Sequence, residues 1–123
     1  MATANNQFSL ELGLADDSAG GDETQARLAW RRLVGETLPL AARTRNWPVS
    51  EDHCFARILL DNACGRPWRE MVHPPAWKNT PIDLLRNAIS LGEAALAGSS
   101  DLNKLNNRSL DLRGKRAVRH LEP

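Results

Sequence analysis

Residues 47–77 read WPVSEDHCFARILLDNACGRPWREMVHPPAW, and this stretch decides how the chain folds. It carries three of the four tryptophans, both cysteines and two of the three histidines. Ser50 followed by Glu51 and Asp52 predicts a helix start, because a hydroxyl satisfies one of the first unpaired N–H groups and the helix dipole favours negative charge in the first turn. Gly65 is the matching stop, since glycine takes the left-handed cap conformation at little cost. Between them Phe55, Ile58, Leu59 and Asn62 fall on one side, which the spacing assigns to the core. GRPWREM then predicts one helical turn carrying Trp68. His73-Pro74-Pro75 predicts an extended corner, after which Trp77 plugs the core from a loop.

Outward from this centre the period stays helical. Upstream, Ala26, Ala29, Trp30, Leu33 and Val34 share a face over a helix placed at about 23–37, with Arg27, Arg31 and Arg32 on the other side and Pro39 ending or kinking it. Downstream, Thr80 and Pro81 are read as cap and first position of a helix that Gly98 ends, with Asp83 in its first turn. Ile82, Leu84, Leu85, Ala88, Ile89, Leu91, Ala95 and Leu96 cover more than half of it, so it is expected to be the most buried helix. Ser100-Asp101 opens a further helix to about residue 110, with Leu102, Leu105, Ser109 and Leu112 at three- and four-residue intervals.

The fold class that follows is all-α, a small bundle of about four helices around a Trp/Pro-rich central loop. A chain of 123 residues has room for one core and not two. The expected organisation is an acidic, mostly flexible tail over 1–23, a helical domain over 24–113 and a basic C-terminal tail over 114–123. Charge draws the same divisions. Residues 1–23 hold five acidic side chains and no Lys or Arg, whereas residues 24–49 hold five Arg against one Glu. The six basic side chains of residues 101–123 outnumber three acidic ones. Such an acidic tail is able to shield basic segments by Coulomb attraction.

With 41% apolar and 25% charged residues and no apolar run of about 18, the composition excludes a transmembrane helix. The N-terminus lacks the basic-then-apolar order of a secretion signal, so the expected location is cytoplasmic. Cys54 and Cys64, ten positions apart on one helix, would stand about 15 Å apart and are expected as reduced thiols.

Three candidate sites emerge. His53, Arg57, Asp61 and Cys64 recur at intervals of four, four and three, forming a polar stripe on which Arg57 and Asp61 are able to pair. Thiol catalysis by this stripe is disfavoured because His53 and Cys64 lie three turns apart, and His53, Cys54, Cys64 and His73 show no zinc-chelating spacing. No phosphate-loop, dinucleotide, esterase or zincin motif occurs, so neither cofactor nor metal is expected. The second set is Arg27, Arg31, Arg32, Arg108, Arg113, Lys115 and Arg116, with Asn106 and Ser109 beside them. Their side chains suit phosphate, although a pI of 7.9 is below that of a dedicated nucleic-acid binder. The third is QFSLELGL, in which Phe8, Leu10 and Leu12 alternate with mostly polar residues as in an extended docking segment.

The expected function is therefore a small non-enzymatic interaction or regulatory protein that binds a protein partner through its N-terminal segment and a Trp/Arg surface. A nucleic-acid-binding accessory protein using the Arg segments is the alternative, and a thiol or metal enzyme at the His53/Cys64 stripe a lesser one.

Overall fold

A computed structural model describes residues 15–114, and every regular element among them is a helix. The segments holding Phe8, Leu10 and Leu12 and holding Lys115 and Arg116 lie outside the described residues. The helices are α1 (Ala15–Arg32), α2 (Leu38–Ala42), α3 (Asp52–Cys64), α4 (Ala76–Asn79), α5 (Ile82–Ala97) and α6 (Leu102–Leu112). A wider π-helical turn, Leu33–Thr37, joins α1 to α2, and a single 3₁₀ turn occupies Trp68–Glu70. None of these helices is long and apolar enough to cross a membrane.

The centre is α3, which packs against α5 on one side and α6 on the other, while α1 lies along α5 and α4. Phe55, Ile58, Leu59 and Leu60 of α3 have no solvent exposure, and burial of each such side chain contributes about 2 kcal/mol. Trp30, Leu33, Val34 and Leu38 close over them from the first helical run, Leu85, Ala88 and Ala95 from α5, and Leu102 from α6. Trp47 stands edge-on to Phe55, with ring centroids 5.7 Å apart. The most buried helix is thus α3 and not α5, whose Leu84, Ile89, Leu91 and Leu96 are only partly covered. The wide apolar stripe of α5 meets partners on two sides and keeps a solvent edge.

Several boundaries differ from the sequence expectation. The first helix begins at Ala15. Its Gly20-Gly21 pair reads as a break, yet each glycine costs a helix interior only about 1 kcal/mol. Pro39 does not end the run either. It lacks an N–H and its ring crowds the carbonyl four residues back, and the chain answers by widening the preceding turn so that the Leu38 N–H donates to the Leu33 carbonyl five residues behind. Helix α3 has Glu51 and not Ser50 at its cap position, with no side-chain cap bond, and the Asp52 carboxylate accepts the His53 N–H at 2.7 Å. Thr80 is likewise no cap: it is wholly buried, and Pro81 precedes α5. Trp77 does not plug the core; it rides on α4 and is 39% exposed.

Other signals held. Gly65 stops α3 at φ 75°, donating its N–H to the Asp61 carbonyl at 2.8 Å, and Asp101 caps α6 by accepting the Asn103 N–H at 2.8 Å. Two arginines staple the periphery. Arg27 donates one nitrogen to the carbonyls of Trp77 and Thr80, both at 3.0 Å, which holds α1 to the α4–α5 junction. Arg45 donates to the Leu96 carbonyl at 2.9 Å, near the negative end of α5.

Candidate functional site

The polar stripe of α3 divides when it meets its neighbours. Asp61 has no solvent exposure and accepts four hydrogen bonds. They come from the Trp68 N–H at 2.8 Å, the Ser109 hydroxyl at 2.7 Å, and Arg113 through Nε at 2.6 Å and Nη2 at 2.9 Å. Arg57, one turn back, donates to Ser109 Oγ at 2.8 Å and to Asn106 Oδ1 at 2.9 Å. The expected Arg57–Asp61 pair is therefore replaced by a relay in which Ser109 accepts from one and donates to the other. The reason is geometric: Asp61 sits where the end of α6 converges on the Trp68 turn, and the Arg113 fork offers two parallel N–H groups.

A serine 2.7 Å from a carboxylate is the shape of a nucleophile beside a base. Here Arg113 already holds the carboxylate, Arg57 bonds the hydroxyl oxygen, and Ser109 is wholly buried, so no substrate reaches it. The cluster joins α3, α6 and the Trp68 turn. The ends of the stripe stand apart from it. The His53 side chain is 73% exposed at the start of α3, with Nδ1 3.6 Å from both Glu51 and Asp52. Cys64 is half-buried, and desolvation, reinforced by the Asp61 charge and opposed by Arg66, raises its thiol pKa. A raised pKa removes thiolate at neutral pH, the opposite of nucleophile activation. Among the described residues no three His, Cys, Asp or Glu side chains gather to hold a metal.

The arginines expected to meet phosphate are dispersed. Arg113 is spent on Asp61, and Arg27 on Glu23 at 2.9 Å and on two carbonyls. Arg108 reaches the Asn62 carbonyl and side chain at 3.4 and 3.3 Å. Asn106 and Ser109 are buried under Arg57 and do not face solvent. Arg32 is exposed, and Arg31 lies over the Trp77 ring, 4.7 Å from its centroid.

That last contact marks the most aromatic surface of the domain. A groove of about 440 Å³ runs between the end of the first helical run, from Trp30 to Gly35, and the Trp68–Trp77 segment. Trp30, Trp68 and Trp77 line it with Pro74 and Pro75; Arg31 and Arg69 stand at its edges, and Asp52 and Ala56 of α3 complete it. Arg69 lies over Trp68 at 5.4 Å as Arg31 lies over Trp77. A smaller hollow of about 360 Å³ shares Arg31 and Gly35 and adds Leu28, Arg32 and Glu36. The larger hollow at the start of α6, about 680 Å³, is a weaker anion site because the Asp101 carboxylate already meets that helix end. Sequence reading marked the tryptophans and Arg31, but missed Arg69 and Gly35. The repeated Trp-Arg doublets at 30–31 and 68–69 are a signal by which Arg69 could have been found; none marks Gly35.

Comparison with protein-family models, with curated proteins and with solved structures finds no match to this chain.

Proposed function

We propose that this chain is a small non-enzymatic interaction protein that binds a protein partner through its Trp/Arg surface together with the N-terminal segment carrying Phe8, Leu10 and Leu12. The observation that supports it is a groove lined by three tryptophans and two prolines, of which Trp77 is 39% exposed and both prolines are exposed, beside two arginines lying over indole rings. Aromatic and Arg side chains are the usual anchors of interfaces, because they bury much area and bond directionally at modest entropic cost. The nucleic-acid reading is less well supported, since Arg27, Arg108 and Arg113 each hydrogen-bond within the domain.

The test is affinity capture from a lysate with the full chain, repeated with Trp77→Ala and with Phe8→Ser/Leu10→Ser/Leu12→Ser. A protein recovered by the wild type and lost with either variant, at unchanged thermal midpoint, is the expected outcome. Equal recovery by all three chains would remove the reading.

A further inference from the structure

The chemistry of the Trp/Arg groove specifies its ligand more narrowly than a surface patch does. Neither Arg31 nor Arg69 hydrogen-bonds a carboxylate or carbonyl among the described residues; the guanidinium carbons lie over indole rings, 4.7 Å from the Trp77 centroid and 5.4 Å from that of Trp68. The one carboxylate lining the groove, Asp52, already accepts the His53 N–H at 2.7 Å. Two cations without a carboxylate or carbonyl partner among the described residues thus stand against one carboxylate in the groove lining, a balance that favours carboxylates arriving from outside. A guanidinium stacked on tryptophan is pre-oriented for a two-pronged bond to such a group. Beside the arginines, the exposed part of Trp77 and the exposed rings of Pro74 and Pro75 offer apolar contact. That surface suits an extended chain, which carries no internal hydrogen bonds to break.

Gly35 adds an independent observation. A Cβ built there meets nothing within 4 Å, so the wall has an open notch where the two hollows join. We infer that this groove docks an extended acidic segment of the partner, with carboxylates on Arg31 and Arg69 and apolar side chains against Trp77 and Pro75. The inference rests on the interaction reading above and names its ligand. Asp52 and Glu36 beside the path disfavour any unbroken row of anions, so the segment that fits carries carboxylates spaced by apolar residues, and a continuous row of phosphates suits the groove less well.

The test is fluorescence anisotropy of a labelled synthetic peptide of Glu-Leu-Pro repeats titrated with the full chain, alongside its Lys-Leu-Pro counterpart and a single-stranded oligothymidine. The Glu peptide binds and the Lys peptide does not. Gly35→Phe, which fills the notch, and Arg31→Gln with Arg69→Gln, which removes the cations, each weaken binding by about tenfold or more without lowering the thermal midpoint. Equal affinity for the Glu and Lys peptides would overturn the inference, as would an affinity indifferent to both variants. Oligothymidine bound more tightly than the Glu peptide, and weakened by the same variants, would overturn it in favour of nucleic acid. If no acidic peptide binds while Trp77-dependent capture of a partner persists, the ligand class fails and the interaction reading stands. Loss of both removes the two together.

Discussion

Arg113, at the end of α6, grips Asp61 of α3 through two parallel hydrogen bonds, and the carboxylate it grips has no contact with solvent. The arginine side chain itself is 24% exposed, so one partner keeps a path to water and the other does not. Arg113→Ala strands a buried anion on neutral donors and is expected to cost about 3–5 kcal/mol, a large share of the stability of a small domain. Asp61→Ala also unpairs the Trp68 N–H and the Ser109 hydroxyl, and should cost a similar amount. Because the two changes abolish the same interaction, the double variant should lose clearly less than the sum. Urea denaturation of the four chains measures this, and additive losses would show that the pair is uncoupled.

Two glycines predict opposite signs for one substitution. A Cβ on Gly92 would stand 2.7 Å from Leu33 Cδ2 and 3.0 Å from Leu59 Cδ1, and both leucines are buried and hemmed in. Gly92→Ala should therefore destabilise by about 1–2 kcal/mol, overpacking outweighing the gain in helix propensity. Gly35→Ala meets open space and should stabilise by about 0.5–1 kcal/mol. Thermal midpoints that move in the same direction would contradict the packing described for α5.

The fold was legible where local chemistry and tertiary packing agree. The run from Phe55 to Leu60 with Gly65 behind it, and the apolar stripe beginning at Ile82 with Gly98 behind it, each form a helix ending where the sequence placed the stop. Legibility failed where a distant partner decided the outcome. Asp61 one turn after Arg57 looks like a local ion pair, and nothing in α3 reveals that Arg113 arrives 52 positions later with a better fork. Ser109 and Asn106, in a run that looks ready for phosphate, are buried because α6 turns that face to Arg57. Pro39, read as ending or kinking the first helix, does not end it, and the regular α-helix is interrupted just before it. A proline is read against an α-helix, and a π-helical turn relieves both its missing donor and its clash. The groove was half legible: its tryptophans stand out in composition, but which arginines remain unpaired beside them is settled only by where the others go.

The thiols give a pH-dependent prediction. Burial and the neighbouring Asp61 charge hold the Cys64 pKa above its ordinary value. The folded state thus binds the proton more tightly than the unfolded chain. The associated stability is fully present below the unfolded thiol pKa and is lost as pH rises through the folded one. At neutral pH, alkylation of Cys64 should be slower than that of a small model thiol, because rate follows thiolate fraction and access. Mass-resolved iodoacetamide labelling of the native protein reports this directly, and faster modification of Cys64 would reopen a reactive role for it.

Thr80 supplies the last test, because its backbone and side chain have opposite fortunes. Its carbonyl accepts from Arg27 at 3.0 Å and its N–H donates to the Ala76 carbonyl at 3.0 Å, so the main chain at the start of α5 is fully bonded. Its hydroxyl is wholly buried and has no hydrogen-bonding partner among the described residues. An unpaired buried hydroxyl gives up its bonds to water and regains none, at a cost of about 1–3 kcal/mol. Thr80→Val keeps the branched shape and both backbone bonds while deleting that hydroxyl. It should raise stability by about 1 kcal/mol, read as a higher urea midpoint at unchanged slope. A loss of comparable size would mean that the hydroxyl is bonded in solution.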